Sequence, residues 1–104
     1  MNTCIRYAHR DTNNRLTHFE EIMAGTTSFH DVLTIRRGCI NNNFLPQRCG
    51  LKAETFASLG HQMCGDIPLW HEIEAITTVD HPVSCSLSVS EFIQYFENGR
   101  AINY

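Results

Sequence analysis

The sequence predicts an all-α fold, a compact bundle of about five short helices forming a single helical domain over residues 1–104. Three observations carry that expectation. Apolar residues recur at three- and four-residue intervals in stretches near 15–24, 29–37, 53–63, 67–76 and 89–98. Ser28 and Ser88 stand where N-caps belong, and Ser88 with Glu91 reads as a capping box. Gly25, Gly38 and Gly99 fall where helices should stop. Short strands are expected only near 3–8 and 77–83.

Taken in order, TCIRYA alternates Cys4, Arg6 and Ala8 with Ile5 and Tyr7, the weak signature of a strand. DTNN at 11–14 is turn and cap chemistry, because short polar side chains accept from free amides of the next turn. Leu16, Phe19, Ile22 and Met23 then stand at helical spacing. In the second stretch Phe29, Val32 and Leu33 form an apolar stripe beside Ile35. Asp31 sits at the end of that helix that favours negative charge and Arg36-Arg37 at the end that favours positive charge. Asn41-Asn42-Asn43 is a loop. Leu69, Trp70, Ile73 and Ile76 supply the buried face of the fourth helix, with Pro68 early in it, where a missing N–H costs nothing. Pro82 holds His81 in extended backbone. In the last helix Val89, Phe92, Ile93 and Phe96 make one stripe, and Tyr95 lies off it.

The chain carries a net charge of −3 and only 18% charged residues. That excludes a strong basic field for nucleic acid and leaves a surface that resists association little, which points to a protein partner or self-association. No apolar run approaches the roughly 20 residues of a membrane span, and the N-terminus lacks the apolar core of a signal peptide. Five cysteines at wide, irregular spacing suit reduced thiols in a cytoplasmic protein better than a disulfide framework.

The stretch richest in chemistry-bearing residues is 61–85. It holds three of the six His, two of the five Cys and the lone Trp. His61 and Cys64, three apart on one helical face, with His71, His81 and Cys85, are the candidate metal ligands. Zinc is the ion that mixed imidazole and thiolate donors would select. No CxxC or HExxH accompanies them. A thiol nucleophile would pair Cys64 with His61 or His71, or Cys85 with His81. An acid–base pocket would draw on His71, Glu72, Glu74 and Asp80-His81. No complete catalytic or phosphate-binding motif is present, so neither an enzyme nor a cofactor is expected.

Leu45, Gly50, Leu51, Phe56 and Leu59 also fit helix-turn-helix spacing, although Pro46 interrupts the first helix and the would-be recognition helix, Lys52–Met63, carries a single Lys. The same Leu-Pro, Gly-Leu, Phe, Leu pattern resembles a segment of the family that donates molybdenum to nitrogenase cofactor assembly. That family's C-terminal Cys-rich cluster is missing here, so its function is not carried over. The leading expectation is a small, non-catalytic binding or regulatory protein acting through protein–protein contacts. The alternatives are a metal- or small-ligand-binding protein using 61–85, and a divergent helix-turn-helix DNA-binding regulator.

Overall fold

The computed structural model describes residues 1–55 and 67–103. Within them the chain is a mixed α/β domain: four antiparallel strands curl into a half-barrel sheet, joined by two α-helices. The strands are β1 (Asn2–Arg10), β2 (Leu16–Ala24), β3 (Asn43–Phe44) and β4 (His71–Val79), in the order β2-β1-β4-β3. The helices are α1 (Phe29–Arg37) and α2 (Val89–Glu97), with short 3-10 turns at Pro46–Cys49 and Arg100–Ile102.

β1 is the central strand, pairing with β2 along its whole length and with β4 from Asn2 to Ala8. Its alternation sets the two faces of the sheet. Ile5 and Tyr7 point inward with their partners Ile73 and Ile76 on β4 and Phe19 on β2. Cys4, Arg6, Ala8 and Arg10 point outward. The β1–β2 hairpin closes through Asp11, whose Oδ1 accepts from the Asn13 and Arg15 amides at 2.9 Å each, and through Asn14 at a φ of 64°. The Asp–Asn chemistry at 11–14 therefore makes a turn between strands, not the cap of a helix.

β4 carries a bulge. Arg6 pairs with Ala75 and Tyr7 with Ile73, so Glu74 is the extra residue. Ile40–Asn43 is a tight turn with Asn41 and Asn42 at φ 50° and 65°, the doubly positive backbone that Asn tolerates. Asn42 locks it: its carbonyl accepts the Ile73 amide at 3.0 Å, its Nδ2 donates to the Ile73 carbonyl at 2.7 Å, and its Oδ1 accepts from Arg36.

The core lies between the inner sheet face and the helices. Tyr7, Phe44, Phe92 and Phe96 form a chain of ring contacts with centroids 4.9–6.2 Å apart. Both helices begin at reciprocal capping boxes, Ser28 with Asp31 and Ser88 with Glu91. Each box occupies two amides that the first turn leaves unpaired.

The expected helical bundle is thus corrected. The helices at 29–37 and 89–98 are present and 3–8 is strand, but 15–24 and most of 67–76 are strands β2 and β4. Strand also ends at Val79, short of the expected 83. Of the expected 53–63 helix, residues 53–55 are non-helical and the rest lies outside the described residues. Before Gly50 there is one 3-10 turn, and from Leu51 to Thr55 no helix follows it. Phe29, expected on an apolar stripe, is 81% exposed.

Candidate functional site

Two neighbouring constructions occupy the end of the sheet where β1 finishes and β4 begins. They lie on opposite faces because successive residues of a strand point opposite ways.

On the inner face His71 is completely buried, with rings of Tyr7, His9 and Phe19 at 5.9, 5.2 and 5.5 Å. Its two nitrogens hold main chain. The Glu54 amide donates to Nε2 at 3.0 Å, and Nδ1 lies 2.9 Å from the Leu69 carbonyl. Since Nε2 accepts, the proton belongs on Nδ1, which donates to Leu69. Burial pushes the imidazole down from 6.5 to about 4, against the opposing pull of the Leu69 hydrogen bond. Nearby, the Tyr7 hydroxyl donates to the Lys52 carbonyl at 2.5 Å, and His9 Nδ1 lies 3.2 Å from the Trp70 carbonyl. Three side chains of the sheet thereby fix the backbone at 52, 54, 69 and 70.

On the outer face, at the same end, is a cleft of about 480 Å³. Ala8 is its floor: a methyl group stands where the neighbouring positions of the face carry Arg6, Arg10, His18 and Glu72. Trp70 and Ile40 form apolar walls, and Asn41, Asn43, Arg10 and Glu72 supply polar atoms. Glu72 pairs with Ala8 on one side and with Asn43 on the other. Arg10 is then its diagonal neighbour on the same face, a relationship that usually places Cα atoms roughly 7–8 Å apart. The two charges nonetheless make no ion pair. Arg10 donates instead to Asn14 Oδ1 at 2.5 Å, and the Glu72 carboxylate has no partner among the described residues. Other carboxylates of this face are engaged: Glu20 lies 3.8 Å from Arg6, and Glu74 lies 2.8 Å from His18, reaching across the full width of β1.

Of the five candidate ligands, the three that lie among the described residues, His71, His81 and Cys85, are not gathered on one spot. His61 and Cys64 lie outside the described residues. His71 opens β4 and His81 follows its end, so about ten residues of extended chain, roughly 25–30 Å, separate them. His81 is exposed and its carbonyl accepts from Asn2 at 2.8 Å. Cys85 is half-buried, its thiol directed at the carbonyls of Ile22 and Leu87, and burial raises its pKa. Among the described residues no three His, Cys, Asp or Glu side chains form a group able to hold a metal ion. Of the acid–base set, Glu72 lies in the cleft, Glu74 is paired with His18, and Asp80 is exposed beyond the strand.

Thiols in the described residues are poor nucleophiles. Burial pushes Cys4 and Cys39 up to about 11 and Cys49 to about 12. The cleft residues that sequence reasoning missed are Ala8, Arg10, Ile40, Asn41 and Asn43. They become neighbours only through the β1–β4–β3 register, which no local motif encodes. Comparison with known protein families, with curated proteins and with solved structures returns no match.

Proposed function

We propose that this protein is a non-catalytic binding module that engages a protein partner through the outer face of its sheet, with the Ala8-floored cleft as the recognition pocket. The observation that carries the reading is the cleft itself. Its volume lies within the roughly 300–1,000 Å³ typical of binding sites, and it offers an aromatic wall beside polar groups not consumed by one another. The absence of catalysis is supported by chemistry: His71 has both nitrogens committed to backbone, and the described thiols hold their protons firmly. A reducing compartment such as the cytoplasm suits the free state of Cys4, Cys39, Cys49 and Cys85. No helix of the described residues is long and apolar enough to cross a membrane.

The test is a nitrogen-15 NMR screen against the twenty amino acids, each blocked as acetyl-aminoacyl-methylamide. The expected result is shift changes clustered at Ala8, Asn41, Asn43 and Glu72 for a subset of the panel, abolished by Ala8→Leu, which fills the floor. Scattered shifts, or shifts that survive Ala8→Leu in a folded protein, would remove the cleft from the account.

A further inference from the structure

We infer that the cleft is built for a guanidinium group, the side chain of an arginine presented by the partner; this rests on the binding reading above. The Glu72–Asn43 side of the cleft presents acceptors. Asn43 donates one Nδ2 hydrogen to the Asn41 carbonyl at 2.9 Å and keeps its Oδ1 to accept. Glu72, its direct cross-strand neighbour, offers a carboxylate with no cation on it among the described residues. A carboxylate beside an amide oxygen matches a planar group with several N–H donors, and a guanidinium meets a carboxylate through two parallel hydrogen bonds. Ile40, on one wall, suits the aliphatic stem of the same side chain.

Arg10 sets the limit. Its guanidinium lines the same cleft and repels a second cation, but its hydrogen bond to Asn14 ties it toward the β1–β2 turn. The arginine therefore enters on the Glu72–Asn43 side. An acidic residue next to that arginine in the partner would meet Arg10. The chain's net charge of −3 favours approach of a cationic segment.

Trp70 is the sole Trp, so its fluorescence reports the cleft directly. The experiment titrates acetyl-arginine-methylamide, its neutral isostere acetyl-citrulline-methylamide, and the corresponding lysine and glutamate compounds, following Trp70 emission and NMR shifts. The arginine probe should bind with an affinity on the order of millimolar, as one side chain does, and citrulline roughly tenfold more weakly. Glu72→Gln, at an exposed position, should keep the folded spectrum and bring arginine down to the level of citrulline. Equal binding of arginine and citrulline, or an arginine response indifferent to Glu72→Gln, overturns the assignment. If the glutamate probe binds instead, the cleft is a binding site read through Arg10 and only this inference fails. If no probe moves the cleft resonances, the binding reading fails with it.

Discussion

The Nε2 atom of His71 accepts the backbone amide of Glu54 at 3.0 Å, an arrangement that only the neutral imidazole can sustain. Protonation would place an N–H against an N–H in a site with no exposure to water. The physical consequence is a pH-dependent stability. In the unfolded chain the group titrates near 6.5, and in the folded chain near 4. Between those values the unfolded state binds more protons, so stability rises with pH. The contribution, about 3 kcal/mol, is complete above about pH 6.5 and disappears as pH falls through about 4. Urea midpoints should rise steeply from pH 4 to pH 7 for the natural chain and less steeply for His71→Gln. Ring nitrogen NMR gives a second reading: Nε2 should keep an unprotonated shift down to about pH 4. Titration near 6.5 in the folded protein would show that the Glu54 contact does not form.

Gly38 caps the C-terminus of α1 at φ −79°, an ordinary backbone angle, so conformational freedom is not why glycine stands there. The reason is contact. A Cβ at this position would lie 2.7 Å from Phe96 Cβ and 3.2 Å from its Cα, the stiff base of the side chain on α2. Gly38→Ala should therefore force the two helices apart and cost about 1–3 kcal/mol, the usual range for overpacking. Were the site open, the same change would stabilise by about 0.4–1 kcal/mol through the unfolded chain. The sign of the shift in a denaturant melt decides between the two.

Cys49 should be among the slowest of the described thiols to alkylate. It is fully buried and its pKa is pushed up to about 12, so at neutral pH it reacts only when the domain opens. Cys39, half-buried and raised to about 11, should label sooner. Mass spectrometry of iodoacetamide-treated protein, resolved by peptide, checks the order. Cys49 labelling as fast as Cys39 in native buffer would mean that the wall around it is open.

The two helices were legible in the sequence because their signals are local: each capping box sits within four residues. The sheet was not, and β2 and β4 show why. In β2 the inward row is Thr17, Phe19, Glu21 and Met23, where Glu21 is 4% exposed and satisfied by Lys52 at 3.2 Å. A buried acid on the inner row and an exposed Leu16 on the outer one erase the period of two. The apolar residues that remain, 16, 19, 22 and 23, imitate a helix. In β4 the bulge at Glu74 stretches the inward interval from Ile73 to Ile76 to three residues, again a helical spacing. The candidate site was legible only in part. Trp70 and Glu72 fall in the stretch singled out for its composition, but Ala8, Arg10 and Asn43 join them only because Ala8 and Asn43 pair with Glu72, 64 and 29 residues away in the chain.

The α2 helix offers a graded test of what its residues do. Phe96 is 5% exposed and touches the rings of Phe44 and Phe92, so Phe96→Ala removes a large side chain from the centre of the core. Such a truncation typically costs about 3–5 kcal/mol, a large share of the roughly 5–15 kcal/mol available to a domain. Ser88 holds the helix entrance through the Glu91 amide at 3.2 Å, and Ser88→Ala should cost about 0.5–2 kcal/mol. Tyr95, expected off the apolar stripe, is half-buried against the core, and the Arg100 guanidinium carbon lies 5.9 Å from its ring centre. Tyr95→Ala should therefore cost less than Phe96→Ala yet more than an exposed substitution, which usually stays within about 0.5 kcal/mol. Urea melts of the three variants at one pH rank them. A silent Phe96→Ala would displace α2 from the core. A Tyr95→Ala as damaging as Phe96→Ala would mean that α2 is buried on both sides and presents no interface of its own.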